Sequence, residues 1–420
     1  MTENLDIVAS QGNLKRHRSE FRFRLFGMFA ILLSLSFLLV IIASIGLRGT
    51  SAFRTSFIQI EMELPADKLD AENIKSERFG KRLKAALRDK FPEAKSRKEK
   101  KKLYGLVSST AEYSIRDQII DTPELIGTRA NFWVRTSSDA DMFLKGYIDR
   151  TLGESQRRLD DRQIAWLEQL QGEGRIESRF NTQFFTNGDS REPEQAGVLG
   201  AVIGSALSLL VCFLISFPIG VLSAVYLEEF AKKGRLSRII EININNLAAV
   251  PSIVFGLLGL AILLNTFGLP RSTPLVGGMV LALMTLPTII IASRAALRAV
   301  PPSIRDAATG LGASKIQTTF HHVIPLAMPG MLTGSIIGMA QALGETAPLL
   351  MIGMVAFIVD VPQGITDAAT ALPVQIFLWA DSPERGFLEK TSAAIMVLLV
   401  FLIAMNLIAI VLRRRLENRW

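Results

Sequence analysis

The feature that most constrains this chain is a series of long apolar runs punctuated by basic clusters. Residues 25–47 form about 23 consecutive positions without a charge, enough for a helix to cross a hydrocarbon core of about 30 Å. Lipid offers backbone amides no partners, so such a run must be helical. Further runs at 196–227, 247–266, 275–293, 329–358 and 390–412 bring the expected spans to six. Pro218, Pro251 and Pro287 lie in or at the edge of these runs, where bends are expected.

Charge gives the runs a direction. Lys15, Arg16, Arg18, Arg22 and Arg24 precede the first run, and Lys232, Lys233, Arg235 and Arg238 follow the second. Arg294 and Arg298 follow the fourth, and "RRRLENRW" follows the sixth. Lys and Arg accumulate on the cytoplasmic side, so both termini are expected inside, in a multi-pass protein of the cytoplasmic (inner) membrane. The first run is too long for a signal-peptide core and lacks a clean cleavage site, which makes it a retained anchor. The chain then divides into a cytoplasmic tail (1–24), a first span (25–47), an extracytoplasmic segment (48–195), a membrane domain (196–412) and a basic tail (413–420).

The segment 48–195 is charged and, at about 150 residues, long enough to bury a small core of its own. Its basic stretch "SRKEKKK" (96–102) does not upset the topology, because long translocated domains escape the charge rule. "FIQIEMEL" puts Ile58, Ile60, Met62 and Leu64 on one face and Gln59, Glu61 and Glu63 on the other, the pattern of a half-buried strand. "NFWV" (131–134) is a second strand candidate. Residues 139–170 carry helical spacing, with Ser137 or Ser138 as N-cap. The segment reads as a mostly helical α+β domain.

Several function classes drop out. One cysteine and three histidines give no disulfide framework and no convincing metal site, and nothing calls for a cofactor. The Gly80-Lys81 pair is followed by Arg82, so no phosphate loop is present. No nucleophile–base arrangement stands out and nothing points to nucleic acid. The chain does not read as an enzyme.

Two stretches carry sharper information. In "GETAP" (344–348), Glu345 falls midway along the fifth expected span. A carboxylate there costs a few kcal/mol unless paired or hydrated. It is either a structural group beside a Pro348 kink or part of a pathway, with Thr346 and Gln341 as neighbours. The other stretch is "DAATGLGASKIQTTFHHVIPLAMPG" (306–330), far longer than a plain connection. Pro301 and Pro302 suit a helix start. Gly312 allows a sharp turn, and Pro325 is expected to end a second short helix. The plain alternative is an amphipathic helix lying in the membrane surface.

That loop resembles the cytoplasmic loop of permease subunits in ATP-binding-cassette importers, of pattern E-A-A-x3-G-x9-I-x-L-P. Asp306, Ala307, Ala308, Gly312 and Pro325 occupy its positions, with Asp306 for Glu, His322 for the first aliphatic residue and Ile324 for Leu. "AAVPSIVFGLLGL" (248–260), "TLPTIIIASRAALRAVP" (285–301), "GETAPLL" and "LPVQIFLWADSP" are similar to the PstA-type permeases of phosphate importers. The resemblance covers about 196–412 and leaves 48–195 as an extension of underived role. It implies an all-α polytopic membrane protein of six helices, the type I importer permease fold, with the α+β domain inserted. It also implies that loop 302–325 docks on a separate ATP-binding subunit. A second permease, an extracytoplasmic phosphate-binding protein and membrane lipid complete the expected partners.

One departure bears on cargo. Relatives often carry arginine where this chain has Gln341, and a basic residue where it has Ile291. An anion pathway needs positive charge or helix N-termini. A partner subunit, Arg294 or Arg298 would have to supply it, or the cargo is another oxyanion. A channel and a membrane sensor are the rival classes; the sensor lacks a sizeable cytoplasmic signalling segment.

Overall fold

The computed structural model describes residues 2–64, 79–151, 153–232 and 234–416. Residues 417–420 of the basic tail and Lys233 of the second basic cluster lie outside the described residues, as do the side chains of Lys15, Arg16 and Arg18. Helix α1 (Thr2–Gly49) carries the first apolar run as part of one long helix. None of its most apolar stretch is buried, so this face is left to lipid or a partner.

The domain that follows α1 is α+β. Strand β1 (Arg54–Glu63) is followed by α2 (Phe79–Lys90), α3 (Arg97–Tyr104), α4 (Ala111–Asp121) and β2 (Arg129–Arg135). Then come α5 (Ser138–Leu144), α6 (Asp161–Gly172), β3 (Ile176–Phe180) and the short α7 (Thr182–Thr186). The sheet order is β2-β1-β3, with both pairings antiparallel. The alternation in β1 acts as expected: Ile58, Ile60, Met62 and Leu64 are buried and join Phe132, Leu83, Leu87, Ile115 and Leu167 in one core. Burying such side chains contributes about 1.5–3 kcal/mol each. The basic run at 96–102 forms α3, opened by a capping box between Ser96 and Glu99.

The stretch 139–170 is two helices rather than one. Ser137 caps α5, the chain turns at Gly146 with φ +80°, and Asp160 starts α6 with its own capping box to Gln163. Strand β3 carries too little alternation to be read from sequence, and it pairs only with the first half of β1.

The membrane helices resume with α8 (Leu199–Val225), continued by a wide turn to Phe230. Helix α9 (Arg235–Ala248) is amphipathic and meets α10 (Ser252–Gly259, extended to Thr266) at a bend of 99°. The expected span 247–266 therefore starts only after Pro251. At about 1.5 Å per residue, Ser252–Thr266 rises about 22 Å, short of a full crossing. Helix α11 (Pro274–Ala299) is uninterrupted despite Pro287.

The loop after α11 forms α12 (Pro302–Gly310) and α13 (Lys315–Thr318). A wide turn over Thr319–Val323 leads directly into α14 (Ile324–Gly344). Pro325 thus does not end the loop's second helix; the chain runs through it. Proline removes one hydrogen bond and crowds the carbonyl four residues back, and the widened turn at 319–323 accommodates both. The fifth span is correspondingly Lys315–Gly344 rather than 329–358. It stops before Pro348, whose ring would crowd the Gly344 carbonyl. Pro348 instead sits in the first turn of α15 (Ala347–Met351), where its missing N–H costs nothing. Helix α16 (Leu372–Ala380) is short, and α17 (Gly386–Leu416) is the last span. Among the described residues five helices are long and apolar enough to cross a membrane, six if α9 and α10 count as one broken span.

A stripe of small residues fixes the packing of α14 on α11. Side-chain space at Gly330 and Gly334 is taken by Ala296 and Ala292, the close approach that small residues permit in membranes. The α+β domain is joined to the spans through buried charge. Lys145 Nζ lies 2.7 Å from Asp141 and 2.8 Å from Glu389 at the start of α17. Glu389 also accepts from Ser51 Oγ at 2.8 Å, and Asp141 accepts from the Ser56 amide at 2.8 Å. Trp379 of α16 donates to Asp189 at 2.9 Å; burial still pushes the Asp189 carboxyl above its ordinary range. Lys145→Met leaves two buried carboxylates without their cation, at a cost of about 3–5 kcal/mol. Thermal unfolding of the purified protein should show the loss, and adding Glu389→Gln should recover part of it.

Candidate coupling loop and pathway residues

The loop is positioned from its first turn. Arg305 of α12 reaches back to the end of α11, donating to the Val300 carbonyl at 2.7 Å and the Leu297 carbonyl at 2.9 Å. Those carbonyls have lost their helical partners. The same guanidinium meets Glu229 at 2.7 Å, from the turn that ends α8. Glu229 is largely buried and Arg305 partly so, so the pair is less screened than a surface ion pair. One planar group therefore fixes α8, α11 and α12 together, a task suited to the arginine fork.

Gly312 has φ +90°, a region that a Cβ disfavours. It reverses the chain between α12 and α13, with its amide donating to the Thr309 carbonyl at 2.9 Å. Ser314 then opens α13 with a capping box to Gln317. Ala308, Thr318, Thr319 and Val323 form the inward side. Asp306, Ala307, Gly312 and Pro325 are exposed. Beside them Leu311 is 91% exposed and Ile316 62%. Two such aliphatic side chains on a rigid polar loop are a ready contact surface.

A second ionic group lies next to the loop. Arg294 meets Glu228 at 2.5 Å and Glu241 of α9 at 3.1 Å. Arg298 meets Glu228 at 2.8 Å. The positive charge near the end of α11 is thus engaged by carboxylates. Gln341, Glu345 and Thr346 come together elsewhere, at the break between α14 and α15. Glu345 is the residue on which α14 ends, with ψ 121°. It is half-buried, Gln341 is exposed and Thr346 half-buried. No hydrogen bond or ion pair from the described residues reaches the Glu345 carboxylate. Gly334 packs level with Ala292, and Glu345 lies about 16 Å further along the α14 axis. Arg294 is therefore remote from the break and cannot neutralise an anion held there.

Sequence reading missed Arg305, Glu228, Glu229 and Glu241. A signal existed: Glu228-Glu229 is an acidic pair closing an apolar run whose next charges are all basic. Removing the guanidinium in Arg305→Ala should release about 1.5–3 kcal/mol of local stability. Amide hydrogen exchange over 302–311 should quicken accordingly, and Arg305→Lys, lacking the fork, should restore little of the protection.

Residues 216–420 match the family described as the binding-protein-dependent transport system inner membrane component. Residues 10–154 match a domain of unknown function. The phosphate transport system permease protein PstA 1 of Mycobacterium tuberculosis (strain ATCC 25618 / H37Rv) is 34% identical over 224 residues, 53% of this chain and 71% of that protein. PstA of Pasteurella multocida is 30% identical over 220 residues, 51% of this chain and 76% of that protein. An inward-facing structure of the MetNI methionine ABC transporter aligns with a TM-score of 0.43 at 17% identity, covering 53% of this chain and 95% of that one.

Proposed function

Because the chain belongs to the family of inner-membrane permeases of binding-protein-dependent ABC importers, on its PstA side, we propose that it moves inorganic phosphate across the cytoplasmic membrane. It works as one half of a translocation pathway beside a second permease subunit. ATP is hydrolysed on separate cytoplasmic subunits, and a soluble extracytoplasmic protein delivers the phosphate. The observation that carries the coupling role is the loop itself: rigidly tied through Arg305, reversed at Gly312, and presenting Leu311 and Ile316 outward. Both termini and this loop lie on the cytoplasmic side in this reading.

Phosphate as cargo is supported by the printed names of the relatives. The pathway reading of Glu345 is supported by its placement at a helix break, with no side-chain partner among the described residues. A bare carboxylate repels phosphate, so Glu345 serves by holding water or by hydrogen bonding to the protonated face of the anion. Cationic groups for the anion come from the partner permease, since Arg294 and Arg298 are engaged by Glu228 and Glu241. Arg294 acts in gating, through an ion-pair group that joins the ends of α8 and α11 to the middle of α9. Another oxyanion in place of phosphate is the competing reading, because Gln341 is uncharged.

The test is purification of the assembled importer and measurement of ATP hydrolysis with and without the loaded binding protein. Phosphate, and not sulfate, is expected to stimulate hydrolysis; stimulation by sulfate alone makes the cargo another oxyanion. Gly312→Glu should leave the chain in the membrane and abolish uptake, while Glu345→Gln should preserve assembly and ATPase docking but cut phosphate uptake at least about tenfold. Uptake at the parental rate in Glu345→Gln would return that residue to a purely structural role.

A further inference from the structure

Helices α8, α14 and α17 do not close against one another along their whole length. Between them lies a groove of about 360 Å³. Leu209, Leu332 and Met339 form its buried floor, and Leu210, Ile408 and Leu412 stand exposed at its rim. Ser335 is the one polar residue in the wall among the described residues, and its hydroxyl is satisfied by the Met331 carbonyl at 3.0 Å. Along α17 the groove runs from Phe401 to Leu412, about 16 Å at 1.5 Å per residue. That is close to half of a hydrocarbon core of about 30 Å, the depth of one leaflet.

The end of the groove at Leu412 adjoins Arg413, Arg414 and Arg415. Arg413 is half-buried and turned onto α14, donating from Nη1 to Thr333 Oγ1 at 3.2 Å. Its Nε is buried and has no partner among the described residues, an orphan donor that normally calls for an acceptor. Arg414 and Arg415 are exposed.

We propose that this groove binds an anionic glycerophospholipid, with one acyl chain between α8, α14 and α17 and the headgroup phosphate on Arg413 to Arg415. The lining requires a hydrocarbon chain, the depth matches one leaflet, and the arginines stand where the headgroup of that leaflet lies. A transmembrane helix is about 10–12 Å across with its side chains, so it would bridge the rim and leave the floor empty. The bound lipid holds the α14–α17 contact and fills the space that helix movement would otherwise have to open to bulk lipid.

The test uses the assembled importer in phosphatidylcholine bilayers with Phe213→Trp as a reporter inside the groove and Trp420→Phe to lower the background. Brominated phosphatidylglycerol is compared with brominated phosphatidylcholine at equal mole fraction. The proposal expects phosphatidylglycerol to quench the reporter at a lower mole fraction. Arg413→Gln should raise that mole fraction roughly fivefold, and Arg414→Gln added to it roughly fivefold again. Ala409→Phe, which fills the groove, should abolish the preference while the complex stays assembled, and inorganic phosphate should not displace the lipid. Equal quenching by both lipids, no quenching by either, as when a partner helix seals the rim, or displacement by inorganic phosphate overturns it.

Discussion

Three helix ends meet at the Arg305 guanidinium. The last carbonyls of α11, the Glu229 carboxylate beyond α8 and the first turn of α12 all converge there. A force on the loop is therefore passed at once to two of the central membrane helices. The neighbouring group of Arg294, Arg298, Glu228 and Glu241 joins the middle of α9 to the same corner. Charge-assisted contacts of this kind hold geometry well because each guanidinium serves several acceptors in one plane. They suit a part that must transmit displacement rather than absorb it.

Further along, the governing constraint changes from charge to backbone hydrogen bonding. Irregular backbone at membrane depth is tolerated only where protein or a water-filled cavity surrounds it. The two breaks in the membrane domain obey this by facing each other's elements. Gly256, soon after the bend before α10, packs directly against Pro348 and Met351 of α15. Glu345 opens the second break, so the costly carboxylate sits where the helix has already ended. Close packing holds on the α14 side of that break, at the Gly330 and Gly334 contacts with α11.

Much of this was legible in the sequence, for identifiable reasons. The spans were visible because lipid imposes length and polarity, and β1 was visible because a half-buried strand must alternate. The loop was visible because Gly312 and the two proline signals mark backbone requirements. What failed were the ends. Residues 247–266 looked like one run, since hydropathy does not see the 99° bend. Pro325 looked like a stop, since a widened turn that bypasses a proline leaves no composition signal. β3 has exposed residues on both faces, so no pattern announces it. The ion pairs joining residues about 66–76 positions apart, such as Arg294 with Glu228 and Arg305 with Glu229, are set by tertiary packing that a single sequence does not display.

The α+β domain is part of the same mechanical unit, because Lys145, Glu389 and Ser51 fasten it to the first and last spans. Any rocking of α17 must carry that junction with it. The central claim remains that loop 302–325 is where this chain meets the ATPase. Its most direct test is thiol cross-linking from Leu311→Cys in a Cys212→Ser background, using the assembled importer. The account predicts a cross-link from Leu311→Cys to the ATP-binding subunit, and none from Arg271→Cys on the opposite end of the membrane domain. Failure of Leu311→Cys to cross-link in an assembled and active complex would contradict it.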